Sequence, residues 1–155
     1  MRGKKAPKRL INPDTKYGNV TLAKFMNMIM KHGKKTIAEK IIYGMLDIVG
    51  EKTKKDPIEV FENAIKNVSP SLEVKSKRVG GANYQVPMPV RAERKLGLAF
   101  RWIIAAANAK KGKPMAEKLA IEFMDAAEGN GDAVKKKMDV QRMAEANRAF
   151  AHFAR

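Results

Sequence analysis

The chain has 155 residues, 32 Lys and Arg against 16 Asp and Glu, a formal charge of +16 and no cysteine. That length favours one domain with a helical core, while the missing thiols exclude disulfide scaffolds, thiolate metal sites and cysteine nucleophiles. The surplus of cations costs self-repulsion that polyanionic phosphate relieves, no apolar run approaches the ~18 residues of a membrane span, and no apolar segment follows the basic start as in a secretory signal, so the composition predicts a soluble nucleic-acid binder.

Residues 1–18 hold Arg2, Lys4, Lys5, Lys8, Arg9 and Lys16 around Pro7 and Pro13, with Leu10 and Ile11 as the adjacent apolar pair. This is expected to be a basic, extended arm that orders along a phosphate backbone; a solubilising tail is the plainer alternative. The absence of serine and the two prolines oppose an amphipathic transit helix. Residues 19–155 are expected to form a helical nucleic-acid-binding domain.

From Val20, the spacing of Leu22, Phe25, Met26, Ile29 and Met30 predicts a helix closed by Gly33, with Lys34 and Lys35 in the following turn. Thr36 and Glu39 form a capping box for a second helix, whose stripe is Ala38, Ile42, Met45 and Val49 and whose end is Gly50. Asp56, Pro57 and Glu59 give a cap, a first-turn proline and an acid suited to the helix dipole. Phe61, Ala64, Ile65 and Val68 are the inward side of this third helix, which Ser69 and Pro70 end.

Between the third and fourth helices, residues 72–90 predict a two-stranded ribbon. Pro87 and Pro89 keep its second strand out of the middle of any sheet, so the ribbon should stand alone, lean on helices at its base and gain order from a partner. If Leu72, Val74, Val86, Met88 and Val90 share a face, the connection has an odd number of residues, such as Val79 to Asn83, with a glycine bulge. Lys75 and Lys77 then occupy the opposite face and Arg78 flanks the tip. Tyr84 and Gln85 either meet a base or ribose hydroxyl, or, for Tyr84, pack on the ribbon's base. Gly80 and Gly81 lack the companions of a nucleotide-binding loop and are assigned to a turn.

A long helix over about 92–109 carries Leu96, Ala99, Phe100, Ile103 and Ala107 inward, with Arg91, Arg94 and Arg101 on another side and Trp102 as core or helix-edge packing. Lys110, Lys111, Gly112 and Lys113 form a basic turn before Pro114 opens a fifth helix with Met115, Leu119, Phe123 and Met124. Gly129 to Gly131 end it. Asp132 caps a sixth helix, where Val134 and Met138 begin an inward stripe and Lys135, Lys136, Lys137 and Arg142 face solvent. Phe150 and Phe153 dock or grip something near the end.

Catalytic candidates are few. His32, placed at a helix C-terminus, and His152 have no metal-ligand spacing, and Glu59, Glu62, Glu117 and Glu122 are accounted for by pairing with lysines a turn away. No catalytic residue, metal, cofactor or small-molecule substrate is expected. The alternatives of other classes are a DNA-bending protein that uses the ribbon as a minor-groove arm and, more remotely, an RNA-modifying enzyme.

Three segments carry a resemblance to a known family: Asp56-Pro57 with Phe61, Ala64 and Asn67; the run from Lys77 to Pro87; and Ala144 to His152. Together they closely resemble the bacterial small-subunit ribosomal protein seven family, from about Lys8 to Phe153. The resemblance implies a mainly α domain of about six helices with a protruding ribbon, no catalytic site, and binding to the 3′ major domain of small-subunit ribosomal RNA that starts assembly of the subunit head. It also implies a cytoplasmic place in the ribosome, or in an organellar ribosome, beside small-subunit proteins nine and eleven, the messenger exit path and exit-site transfer RNA. The RNA-binding residues expected are Arg2, Lys4, Lys5, Lys8, Arg9, Lys34, Lys35, Lys75, Lys77, Arg78, Arg91, Arg94, Lys95, Arg101, Lys113, Lys136 and Arg142. Gly80, Gly81, Asn83, Tyr84 and Arg148 are expected nearest transfer and messenger RNA. The chain departs from the family pattern at both ends, in Met1-Arg2-Gly3-Lys4-Lys5 and in Phe153-Ala154-Arg155.

Overall fold

The structure, a computed structural model, describes Gly3, Ala6 and residues 9–154. These comprise six α-helices, a C-terminal 3-10 helix and a two-stranded antiparallel ribbon between the third and fourth helices, so the expected fold class holds. Two compact units, 1–40 and 41–155, divide inside the second helix.

In the first unit, the Asp14 carboxylate accepts the backbone N–H groups of Lys16 and Tyr17 at 3.1 and 2.9 Å, making a turn ahead of α1 (Val20–Ile29). Asn19 caps this helix by accepting from Thr21 and Leu22 N–H at 2.8 and 3.2 Å. Leu22, Ala23, Phe25 and Met26 form its buried stripe. The helix stops at Ile29, earlier than expected, because Met30 turns extended at ψ 130°; Gly33 instead shares a left-handed turn with His32, at φ 71° and 52°. His32 therefore does not sit on a helix C-terminus. That turn starts α2 (Lys35–Thr53) early: Lys34 O accepts from Ala38 N–H at 3.3 Å, so Lys34 takes the cap position. Thr36 falls inside the first turn, and Glu39 meets Lys35 at 3.8 Å instead of boxing Thr36.

In the second unit, Ile42, Met45, Leu46 and Val49 continue the buried stripe of α2. The helix passes through Gly50, contrary to expectation, since the glycine there answers a close approach: a Cβ would lie 3.1 Å from Pro57 Cγ. The stop comes at Thr53, whose hydroxyl donates to Val49 O at 2.7 Å, followed by Lys54 at φ 53°. In α3 (Pro57–Val68), Asp56 Oδ1 accepts Ile58 N–H at 3.0 Å and Pro57 fills the first turn, as predicted. Val60, Phe61, Ala64, Ile65 and Val68 are buried. Phe61 meets Phe123 of α5 (Met115–Ala127) with ring centroids 5.2 Å apart. Full burial of a phenylalanine such as Phe61, Phe100 or Phe123 contributes about 1.5–3 kcal/mol.

The ribbon pairs β1 (Leu72–Val79) with β2 (Ala82–Pro89), from Leu72 opposite Pro89 to Val79 opposite Ala82. The connection is the even pair Gly80-Gly81, at φ 56° and 88°, not the odd, bulged loop expected. Both central residues of this turn need positive φ, which glycine supplies at no steric cost. In this register Pro87 and Pro89 fall on alternate pairs whose N–H positions point away from the partner strand, so neither proline removes a ladder bond. Leu72 and Val74 consequently face Pro89 and Pro87, while Val86 and Met88 face Lys75 and Glu73. The expected common apolar face does not exist, and Lys75 and Lys77 share their side with Val86.

The helix α4 (Ala92–Ala109) has the predicted bounds and buries Ala99, Phe100, Ile103, Ala106 and Ala107. Pro114 stands just before the first turn of α5. Asn67 of α3 ties the end of α5 in place, donating to Ala126 O and Ala127 O at 3.0 and 2.9 Å. In α6 (Asp132–Ala146) the inward stripe is Ala133, Val134 and Ala144; it passes through Lys137, which donates to Asn67 O at 2.7 Å, and leaves Met138 exposed.

Asp132 does not cap α6. Glu122 does so from α5: its Oε1 accepts Ala133 N–H at 2.8 Å. Glu122 is wholly buried, and Lys110 reaches its Oε2 at 2.8 Å, so Lys110 points inward from the expected basic turn. Burial of Lys110 opposes its charge, but the Glu122 hydrogen bond and the carboxylates of Glu122, Asp125 and Asp132 outweigh this and raise its pKa above the ordinary value. Pairing of Glu122 with a lysine one helical turn away is thereby corrected.

Candidate nucleic-acid interface

The foot of the ribbon meets the start of α4 in a groove of about 580 Å³, lined by Glu73, Lys75, Met88, Pro89, Arg91, Glu93, Arg94, Gly97 and Arg101. The local reason is geometric. Alternation along β1 puts Glu73 and Lys75 on one side, Pro87 to Val90 lead directly into α4, and Arg94 and Arg101 lie two helical turns apart along it. Glu73 is 8% exposed, and its two oxygens hold two cations: Oε2 takes Arg94 Nε at 2.6 Å and Oε1 lies 3.2 Å from Lys75 Nζ. Burial works against the Glu73 charge, yet hydrogen bonds and charge from Arg94 and Lys75 prevail and hold its pKa below the usual value. Arg101 donates through Nε to Gly97 O at 3.2 Å. This brings four expected RNA-binding cations, Lys75, Arg91, Arg94 and Arg101, into one groove.

Farther along the ribbon, Lys77, Arg78, Gly80, Gly81 and Asn83 are exposed. The C-terminal 3-10 helix (Arg148–Ala154) lies on β2. Tyr84 contacts its Phe150 and Phe153, with centroids 5.1 and 5.2 Å apart, and Lys77 Nζ donates to Phe153 O at 2.7 Å. Of the alternatives open for these aromatics, docking within the chain is what the structure has: Phe150 and Phe153 dock on the ribbon, and Tyr84 packs on them instead of on the ribbon's base. Arg148 is exposed at the start of the 3-10 helix, and His152 makes a local contact, Nδ1 to Ala149 O at 2.8 Å.

The remaining expected cations are distributed. In the first unit Arg9, Lys34 and Lys35 are exposed. In the second, Lys95 is half-buried on α4, Lys113 is exposed before α5, and Lys136 and Arg142 are exposed on α6, the latter 3.9 Å from Asp139. Arg2, Lys4, Lys5 and Lys8 lie outside the described residues. Among the described residues no acidic or histidine cluster is arranged to hold a metal, and no helix is long and apolar enough to cross a membrane.

Sequence reasoning missed Glu73 as the residue that organises the groove. Its signal was the Gly80-Gly81 pair: a two-residue turn with positive φ at both glycines opposes Val79 to Ala82 and thereby Glu73 to Met88.

A sequence profile described as "Ribosomal protein S7p/S5e" matches residues 1–148 of the chain. The chain is 59% identical over 153 residues to the "Small ribosomal subunit protein uS7" of Thermotoga maritima, covering 99% of each. To the proteins of the same description from Methylibium petroleiphilum and Afipia carboxidovorans it is 56% and 55% identical, over 98% and 96% of this chain and 97% and 95% of theirs.

Proposed function

The chain belongs to the S7p/S5e family of ribosomal proteins, and from that premise we propose that it is a primary binder of ribosomal RNA that starts assembly of the head of the small subunit. It is a structural, non-enzymatic constituent of the small ribosomal subunit and serves translation through RNA binding. The target is the 3′ major domain. The protein sits beside small-subunit proteins nine and eleven, with Gly80, Gly81, Asn83, Tyr84 and Arg148 toward exit-site transfer RNA and the messenger path.

The observation that carries this reading is the groove of Lys75, Arg91, Arg94 and Arg101 at the foot of the two-stranded ribbon. Clustered guanidinium groups bind phosphate in a fixed fork, and phosphate contacts supply affinity while RNA shape supplies the site. Residues 1–18 act as a basic arm along the same RNA, adding Arg2, Lys4, Lys5, Lys8 and Arg9; Lys34, Lys35, Lys77, Arg78, Lys95, Lys113, Lys136 and Arg142 complete the contact set.

The test is binding to a 3′ major domain RNA fragment, with chemical footprinting and a salt series. If six phosphates are neutralised, log affinity falls against log salt with a slope of about −4 or steeper. Protection of nucleotides outside that domain, or a slope near −1, refutes the reading. Simultaneous reversal of charge at Lys75, Lys77 and Arg78 weakens binding while helical content is kept; unchanged affinity removes the ribbon from the interface.

A further inference from the structure

We propose that Glu73 is a positioning residue for RNA: its buried carboxylate fixes Arg94 and Lys75 at the foot of the ribbon, so that the Arg94 fork is a preformed seat for a backbone phosphate in the groove it shares with Arg91 and Arg101. The inference rests on the RNA-binding reading above and deepens it.

An acid in a groove meant for phosphate is unfavourable by simple charge, so its presence needs a reason. The geometry supplies one. Glu73 is almost fully buried and engages both of its cations through separate oxygens. Arg94 is bound through Nε, which leaves its two terminal NH2 groups as a planar fork, and its side chain remains 45% exposed on the groove. A guanidinium free in solvent loses much rotamer freedom when it grips a phosphate, whereas one already held by a carboxylate loses little. Glu73 belongs to β1 and Arg94 to α4, so the contact bridges ribbon and helix at the groove that Lys75, Arg91 and Arg101 also line.

The experiment compares full-length wild type, Glu73→Gln, Arg94→Gln and the double variant for binding to the 3′ major domain RNA fragment across a salt series. Glu73→Gln moves the net charge from +16 to +17, so charge alone predicts tighter binding. Positioning predicts the opposite sign: about tenfold weaker binding, a salt slope shallower by about one, and a double variant no weaker than Arg94→Gln. Equal or tighter binding by Glu73→Gln overturns the inference. Arg94→Lys tests the seat independently of Glu73, since it keeps the charge and a partner for Glu73 but lacks the fork; it too is expected to bind about tenfold more weakly, and wild-type affinity overturns the seat. Failure of wild type itself to bind the fragment refutes the function; wild-type binding with an indifferent Glu73→Gln refutes only this inference.

Discussion

Two carboxylates, Glu122 and Glu73, stand in nearly the same chemistry and serve opposite ends. Each is buried, and each meets a cation at 2.8 Å or less. Glu122 uses its oxygens entirely inward, one on the N-terminus of α6 and one on Lys110, whose side chain is only 25% exposed. Glu73 holds cations whose outer atoms stay in solvent. The difference teaches that a buried acid fastens helices when its partner is enclosed with it, and orders a surface when its partner keeps donors to spare.

The sharpest way to break that comparison is to remove the enclosed partner. Lys110→Ala strands a buried charge at Glu122 and is expected to lower folding stability by about 3–5 kcal/mol in urea unfolding; a loss below about 1 kcal/mol would mean that Glu122 is not held as described. Gly131→Ala comes next, at about 1–3 kcal/mol. Its φ of 93° is strained for alanine, and the added Cβ would lie 3.0 Å from Glu122 Oε1. Thermal unfolding of this variant measures how tightly the α6 cap is built.

At the foot of the ribbon the same kind of surgery should matter far less to folding. Arg94→Ala leaves Lys75 beside Glu73 and is expected to cost at most about 1 kcal/mol, because Arg94 is itself 45% exposed and Lys75 still compensates the carboxylate. A loss matching that of Lys110→Ala would erase the distinction.

The smallest effect separates the two sites by pH. The pKa of Glu73 is lowered by folding, so its contribution is complete above its ordinary value of 4.5 and is lost as pH falls through the depressed folded value. The pKa of Lys110 is raised, so its contribution is complete below its ordinary 10.5 and is lost as pH rises through the higher folded value. Glu73→Gln should therefore flatten the acid limb of the stability profile and Lys110→Ala the alkaline limb. Exchange of these limbs between the variants would contradict both assignments.

Local signals in the chain carried most of the helices. Asp56-Pro57 announces α3 because cap, proline and dipole act within one turn, and the bounds of α4 follow from a regular apolar stripe ahead of a basic, glycine-containing turn. What local signals could not carry were roles assigned by distant neighbours. Gly50 resembles a helix end, yet Pro57 needs that space. Thr36 and Glu39 have the spacing of a capping box, yet a left-handed His32 starts the helix earlier. Glu122 lies three residues after Leu119 and four before Ala126, on the inward stripe, which could have flagged it as buried. That its partner is Lys110 depends on how α4, α5 and α6 pack. The groove was legible only as a list of cations; the acid that gathers two of them required the ribbon's register.

The clasp of the C-terminal 3-10 helix on the ribbon joins Lys77 to Phe153 across 76 positions of chain. A loop that long closes against an entropy cost that grows as the logarithm of its length, so the closure follows the packing of the helices in between. In a chain made from its N-terminus, Tyr84 and Lys77 precede Phe150 and Phe153 by more than sixty positions, so the clasp is among the later contacts that synthesis makes possible.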